Sequence, residues 1–155
     1  MDLYTILKKL QIAYEEVTHP AIFTAEEAMQ IKDYMPKDAT GCKNLFLSDP
    51  HGNEYVLAFL DERSRGDLKA IAREMNTARL HFASKEALQA VLGLTPGMVT
   101  PLALINDTTH KVKVYLDPTL KGKKVLMHPV GTNARSLAMN FSDLEKFIAY
   151  IKANG

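Results

Sequence analysis

Lys43 and Asn44 stand between a glycine-cysteine pair and the apolar run Leu45-Phe46-Leu47. A lysine at the mouth of a buried strand is costly to bury unless its ammonium meets an anion. Lys43 is therefore either an anion-binding group or a strand-end residue that points outward. Cys42 raises a second chemistry, since a neighbouring cation lowers a thiol pKa and makes a nucleophile. The plainer reading is a small buried residue leading into a strand. Further along, Gly97-Met98-Val99-Thr100-Pro101 places a glycine four residues before a proline. Glycine admits φ > 0 and a close ligand approach, while proline fixes its own φ and removes an amide hydrogen. Amides held stiffly between two such residues can point at a carbonyl oxygen or a phosphate, as in an oxyanion site. His128 closes the apolar run Val125-Leu126-Met127, and Pro129 fixes the turn after it. A histidine there is either a pocket group or a packing residue.

Other chemistries find no matching spacing. None of the five histidines pairs with another histidine or a carboxylate as zinc and iron sites require, so no metal is expected. The sequence has no phosphate-binding P-loop, no dinucleotide glycine fingerprint and no G-x-S-x-G elbow, and no cofactor is expected.

The elements that must position these residues follow from periodicity. Leu3, Ile6, Leu7 and Leu10 predict an opening amphipathic helix, and "EEVTHPAIF" a short extended piece. Thr24 and Glu27 form a capping box for a helix that Pro36 stops. "KNLFLSDPHGNEYVLAFL" predicts a hairpin turning at residues 49–53. Asp67 caps a helix bearing Leu68, Ile71, Ala72 and Met75; "RLHFA" is a short strand; Ser84 starts a helix that Gly93 ends. "TPLALIND" and "HKVKVYLD" read as strands joined by a polar turn, followed by strands in "KKVLMHP" and "ARSLAMNF". Ser142 and Glu145 then cap a closing helix. This order predicts an α+β class, as one domain over residues 1–155 with a mixed, mostly antiparallel, curved sheet flanked by helices.

The chain of 155 residues is 46% hydrophobic and 24% charged, an ordinary globular balance. No apolar run approaches the roughly 20 residues of a membrane span, so no membrane partner is expected, and the N-terminus reads as an amphipathic helix rather than a signal peptide. A single cysteine, Cys42, excludes an internal disulfide and fits a cytoplasmic location. Net charge is +1, but unevenly spread: residues 1–109 carry 11 Lys/Arg against 15 Asp/Glu, whereas residues 110–135 carry six against Asp117 alone. That basic segment is either a local phosphate-binding face or a solvated hairpin.

Six stretches taken together, "HPAIFTAEEA", "GCKNLFLSD", "DLKAIAREM", "ARLHFAS", "LGLTPGMVTPLALIND" and "LMHPVGTN", occur in the order seen in one family. In them the chain resembles the YbaK/prolyl-tRNA synthetase-associated editing domains over essentially its whole length, with greatest similarity to the freestanding alanyl-tRNA(Pro) deacylases. The resemblance implies a trans-editing hydrolase whose partner is tRNA(Pro) carrying a wrong amino acid, most simply alanine, after prolyl-tRNA synthetase has mischarged it. Lys43 matches the family's lysine, which would position the tRNA 3′ end through a phosphate, and Asn44 its neighbour in the catalytic pair. Gly97, Met98, Val99, Thr100 and Pro101 match the loop that would hold the aminoacyl carbonyl. His128 would line the amino-acid pocket, and Asn133 matches a further substrate-binding position. Cys42 matches no catalytic position. The implied mechanism needs little from the protein: the ester is already activated, and the neighbouring 2′-hydroxyl helps to direct water. Alanine is smaller than proline, so overlap can exclude the correct product, whereas preferring one extra methylene gains only about 1–3 kcal/mol. Competing expectations are a deacylase for cysteinyl-tRNA(Pro) or another small amino acid, and a module that binds tRNA or a synthetase without catalysis.

Overall fold

A computed structural model describes residues 2–154. Five α-helices and eight strands make up an α+β fold among these residues. Helix α1 (Leu3–Lys9) is followed by β1 (Tyr14–Thr18) and α2 (Ala25–Gln30). Strand β2 (Ala39–Thr40) leads into the hairpin of β3 (Cys42–Ser48) and β4 (Tyr55–Asp61). Then come α3 (Leu68–Met75), β5 (His81–Phe82) and α4 (Lys85–Leu92). Strands β6 (Val112–Leu116), β7 (Lys124–Met127) and β8 (Arg135–Asn140) precede the closing helix α5 (Phe141–Asn154). The strands divide into two four-stranded sheets, β1-β8-β7-β2 and β5-β3-β4-β6, where the sequence suggested one. Within each sheet one pair is parallel, β2 with β7 and β4 with β6, and the others are antiparallel.

Strand β4 explains the layering. Its residues Val56 to Leu60 are all nearly inaccessible, a continuous run that only a strand covered on both faces can bury. Leu57 and Phe59 point with Phe46 into the larger core, where α1, α4 and α5 contribute Leu7, Leu92 and Phe147. Val56, Ala58 and Leu60 point the other way, onto Ile71 and Ala72 of α3. The hairpin turn is tied by Asp49, whose carboxylate accepts from the amides of Asn53 (2.7 Å) and Glu54 (3.0 Å). Those bonds to the charged form hold its pKa below the ordinary carboxylate value.

Local capping follows the sequence in most places. Thr24 accepts from the Glu27 amide at 3.1 Å, and the Glu27 carboxylate reaches back to the Phe23 amide at 3.2 Å. Asp67 and Ser84 cap α3 and α4, and Gly93 closes α4 at φ 68°.

Two further expectations fail. Residues Pro101–Asn106 form a 3-10 turn rather than a strand. Pro101 supplies a preset φ and no amide at the helical start, Thr100 caps the Leu102 amide, and Leu102 to Leu104 are buried consecutively, not alternately. The predicted Ser142–Glu145 capping box also fails, because α5 starts at Phe141, directly out of β8. The Phe141 amide is taken by Lys123 O at 2.9 Å, which leaves Ser142 inside the first turn.

Replacing Phe59 by alanine removes a fully buried ring between the sheets and is expected to cost about 3–5 kcal/mol. Asp67→Ala, which removes one cap, is expected to cost about 1 kcal/mol. Denaturant unfolding of both variants checks the order, and a Phe59→Ala loss no larger than that of Asp67→Ala contradicts this account of the core.

Candidate active site

The pleat of β3 sorts the residues that first drew notice. Successive strand side chains leave on opposite faces, so Cys42, Asn44 and Phe46 face the space between the sheets, while Lys43, Leu45 and Leu47 face α3. Asn44 and Cys42 line a cavity of about 360 Å³. Ile31, Met35 and Pro36, from α2 and the segment after it, form one wall, and Met127, His128 and Ser136, from β7 and β8, form another. Asn44 Oδ1 is buried without a hydrogen-bond partner, an unpaired acceptor beside that cavity.

His128 sits one residue beyond β7, half-buried in the cavity lining. Its Nδ1 lies 3.0 Å from the Arg135 carbonyl. A carbonyl only accepts, so Nδ1 carries the proton and Nε2 of the neutral ring is left with a lone pair. Burial pushes the His128 pKa below the ordinary value, and the nearby His19 ring (6.3 Å between centroids) acts in the same direction. His19 is itself buried, with Nδ1 2.8 Å from Pro20 O and Nε2 2.9 Å from Ser136 Oγ. Nothing in the local sequence singles out His19 or Ser136 as functional. The available signal was the repeated His-Pro dipeptide at 19–20 and 128–129, whose two histidines meet here.

Lys43 does not line the cavity. Its ammonium donates to the Ser64 carbonyl on the other side of the strand, where the turn after β4 is held by Asp61. The Asp61 carboxylate accepts from the Arg63 guanidinium (2.9 and 3.1 Å) and amide (3.0 Å), bonds that hold its pKa at about 2. Lys43 thus stands on a rigid turn beside the site, with further N–H donors for an anion outside the cavity.

The Gly97–Pro101 segment also lies outside the lining and is tied to it through Thr100. That side chain is fully buried; its hydroxyl donates to His128 O at 2.6 Å and caps the Leu102 amide at 3.3 Å. Gly97 takes φ 88°, and the Met98 amide closes a turn onto Thr95 O at 3.1 Å. Among the described residues no backbone carbonyl takes the amides of Val99 or Thr100. Asn133 is a clamp: its side-chain amide donates to Ile22 O at 2.7 Å, and its carbonyl accepts from the Ile22 amide at 3.3 Å. It fixes the strand-to-α2 segment that forms the cavity rim without lining the cavity itself. Burial raises the Cys42 thiol to about 12, so it stays protonated at neutral pH and does not supply a thiolate.

Two mixed sheets with a cavity of mixed apolar and polar lining make up an α+β domain with a candidate ligand site. The aminoacyl-tRNA editing domain profile matches residues 19–147, and the chain belongs to that family. It is 36% identical over 154 residues to the prolyl-tRNA editing protein ProX of Acetoanaerobium sticklandii, covering 96% of this chain and 88% of that one. Prolyl-tRNA synthetase associated domain-containing protein 1 of Danio rerio is 31% identical over 150 residues, with 95% and 79% covered. The solved structure of hypothetical protein APE2540 superposes with a TM-score of 0.74 at 15% identity, over 95% of this chain and 93% of that one, a likeness of fold.

The lowered His128 pKa has a pH consequence. The unfolded chain binds this proton more readily than the folded one, so stability from this group is complete above about pH 6.5 and declines as pH falls through the folded value. Imidazole NMR should show His128 titrating below about 6.5 with the proton on Nδ1 in the neutral ring. Titration above that value contradicts the buried, neutral assignment.

Proposed function

We propose that this protein is a freestanding editing hydrolase, acting as one domain over residues 1–155, that removes a wrong amino acid from tRNA(Pro), with alanyl-tRNA(Pro) as its substrate. Membership of the aminoacyl-tRNA editing family supports the reaction class, and the names of the ProX and synthetase-associated relatives support tRNA(Pro). The observation that carries the reading is the cavity itself. Its volume is about 360 Å³, with apolar walls from Ile31, Met35 and Met127, and its polar wall is Asn44, His128 and Ser136. Such a site suits a short aliphatic side chain on a polar, reactive ester.

An aminoacyl ester needs positioning more than a strong nucleophile. The terminal ribose 2′-hydroxyl, on the ring carbon next to the one that bears the ester oxygen, can order the attacking water. Asn44, with an amide that has no protein partner for its oxygen, sits where it can contact the reacting group. Lys43, outside the cavity on the other face of β3, is assigned to a 3′-terminal phosphate, while the Gly97–Pro101 segment supports the site from behind through Thr100. Lys37 at the cavity rim adds positive charge for the same strand, whereas Lys32 there is paired with Glu62. Proline carries a ring where alanine carries a methyl group, so rejecting proline by overlap requires the side-chain end of the cavity to fit closely around that methyl group.

Hydrolysis of alanyl-, cysteinyl-, seryl- and prolyl-tRNA(Pro) is the direct test. Alanyl-tRNA(Pro) is expected to be cleaved well above its buffer rate and prolyl-tRNA(Pro) not. A preference for the cysteinyl ester changes the substrate, and no turnover on any of the four turns the reading into a binding module. Lys43→Ala should keep its fold, lose at least tenfold in kcat/KM, and lower the salt slope of tRNA affinity by about 0.7–0.9, the effect of one phosphate contact. An unchanged slope contradicts the phosphate role.

A further inference from the structure

Five large hydrophobic side chains are exposed among the described residues, and three of them, Phe23, Met29 and Tyr34, fall within residues 23–34. That stretch forms one wall of the cavity, and each of the three adjoins a lining residue. Phe23 follows Ile22, Met29 follows Ala28, and Tyr34 precedes Met35. Single apolar residues on a surface need no explanation, but a cluster at the edge of a site marks a contact. Phe23 is the sharpest case, at 77% exposure. It stands just before the Thr24 cap, where a hydrophobic side chain ordinarily packs on the fourth helical residue. That residue is Ala28, which has too little side chain to cover a ring. The backbone on both sides of Phe23 is nevertheless fixed. Ile22 is bonded twice to Asn133, and the Phe23 amide donates to the Glu27 carboxylate at 3.2 Å. A bare ring is thus held on a clamped backbone beside the cavity. Tyr34, 52% exposed, is tied by its amide to Ile31 O at 2.9 Å in the short 3-10 turn after α2. Lys37, on the same rim, is exposed and has no carboxylate partner among the described residues.

We propose that the rings of Phe23 and Tyr34 form a stacking surface for the unpaired bases at the 3′ end of the tRNA, with Lys37 as a cation for the phosphates between them. This deepens the deacylase reading and rests on it. An ester seated in the cavity leaves the base of its own nucleotide outside, beside the wall that carries these rings. Single-stranded nucleic acid is held by this combination of aromatic faces and cations, because every base has a π-face and every linkage a negative charge. A protein partner fits the surface less well. Its docking patch has a contiguous apolar centre with charge at the periphery, whereas Glu26, Lys32, Asp33 and Lys37 are interleaved here with the apolar residues. Stacking is indifferent to base identity, so this surface holds the 3′ end without choosing among tRNAs.

The test compares alanyl-tRNA(Pro) with the same molecule lacking the bases of its unpaired 3′ nucleotides, their sugars and phosphates kept. Each kcat/KM is taken relative to the rate of the same ester in buffer. On the intact substrate Phe23→Ala and Tyr34→Ala are each expected to lose at least about fivefold, the effect of one base–aromatic stack. Phe23→Tyr should keep the wild-type value and Phe23→Leu should not, since leucine retains apolar bulk but no flat face. Removing the bases is expected to cost the wild-type protein at least about fivefold more than it costs either alanine variant, which has already lost a stack. A merely loosened fold lowers both substrates alike. Should an alanine variant not fold, the Phe23→Tyr and Phe23→Leu pair still decides. Equal cost of base removal in wild type and variants overturns the stacking surface and leaves the deacylase reading standing. A Phe23→Leu protein as active as wild type does the same, and turns the exposed rings over to a protein partner. No hydrolysis of intact alanyl-tRNA(Pro) by the wild-type protein removes the deacylase reading, and this inference with it.

Discussion

The two-residue period of β3 is the constraint on which the rest of the site depends. One strand must serve two cores, because β4 beside it is buried on both faces and β3 follows its register from Cys42↔Asp61 to Ser48↔Tyr55. Phe46 has to enter the larger core and Leu47 the smaller one. With those two fixed, Asn44 can point only between the sheets and Lys43 only toward the Ser64 turn. A slip of one residue would exchange the two groups and bury an ammonium in the cavity wall, at the cost of leaving a cation without an anion. The apolar residues that hold the sheets together therefore also determine which polar residue meets the ligand.

The second wall depends on a join between segments distant in sequence. Thr100 gives its hydroxyl to His128 O, and the same oxygen atom of Thr100 caps the turn at Pro101–Asn106. The buried residues Leu102 to Leu104 anchor that turn in the main core. His128 is thus set from behind by the core, and from the side by the bond of its ring to Arg135 O. Asn133 performs the equivalent service for the chain before α2, through its two bonds to Ile22. The Gly-x-x-x-Pro segment and Asn133, both prominent in the sequence as binding residues, act in the fold first as fasteners of a cavity that they do not line.

What was legible in the sequence was what short-range chemistry decides. The β3–β4 hairpin, the caps at Thr24, Asp67 and Ser84, and the glycine closing α4 each depend on residues within a few positions of each other. Residues 101–106 misled because Leu-Ala-Leu-Ile satisfies a buried strand and a buried helical turn equally, and the deciding feature, Pro101 at a capped helical start, was read as loop stiffening. The split into two sheets depends on long-range pairings such as β1 with β8, which no local pattern encodes. The candidate site was legible in part: Asn44 and His128 reach the cavity, and Lys43 stands just outside it. His19 and Ser136 were not, since they are 117 positions apart and only the fold makes them partners.

Charge shows the same contrast between composition and placement. Residues 110–135 carry a net +5 in sequence, yet the fold distributes them over both sheets and sets carboxylates against most of them. Lys113 meets Glu54 at 3.4 Å, Lys123 meets Asp61 at 3.9 Å, and Arg135 meets Glu16 at 3.8 Å. Lys124 has two partners, Glu15 and Asp38, each at 3.0 Å. Pairs of this kind cancel at distances beyond the Debye length of about 8–10 Å, so a basic stretch of sequence becomes a weak field in space. Under the proposed function, long-range attraction to the tRNA then contributes little. Affinity then has to come from short-range contacts at the cavity, where Lys32 is already paired with Glu62 and Lys37 is the lysine of the rim with no carboxylate partner among the described residues.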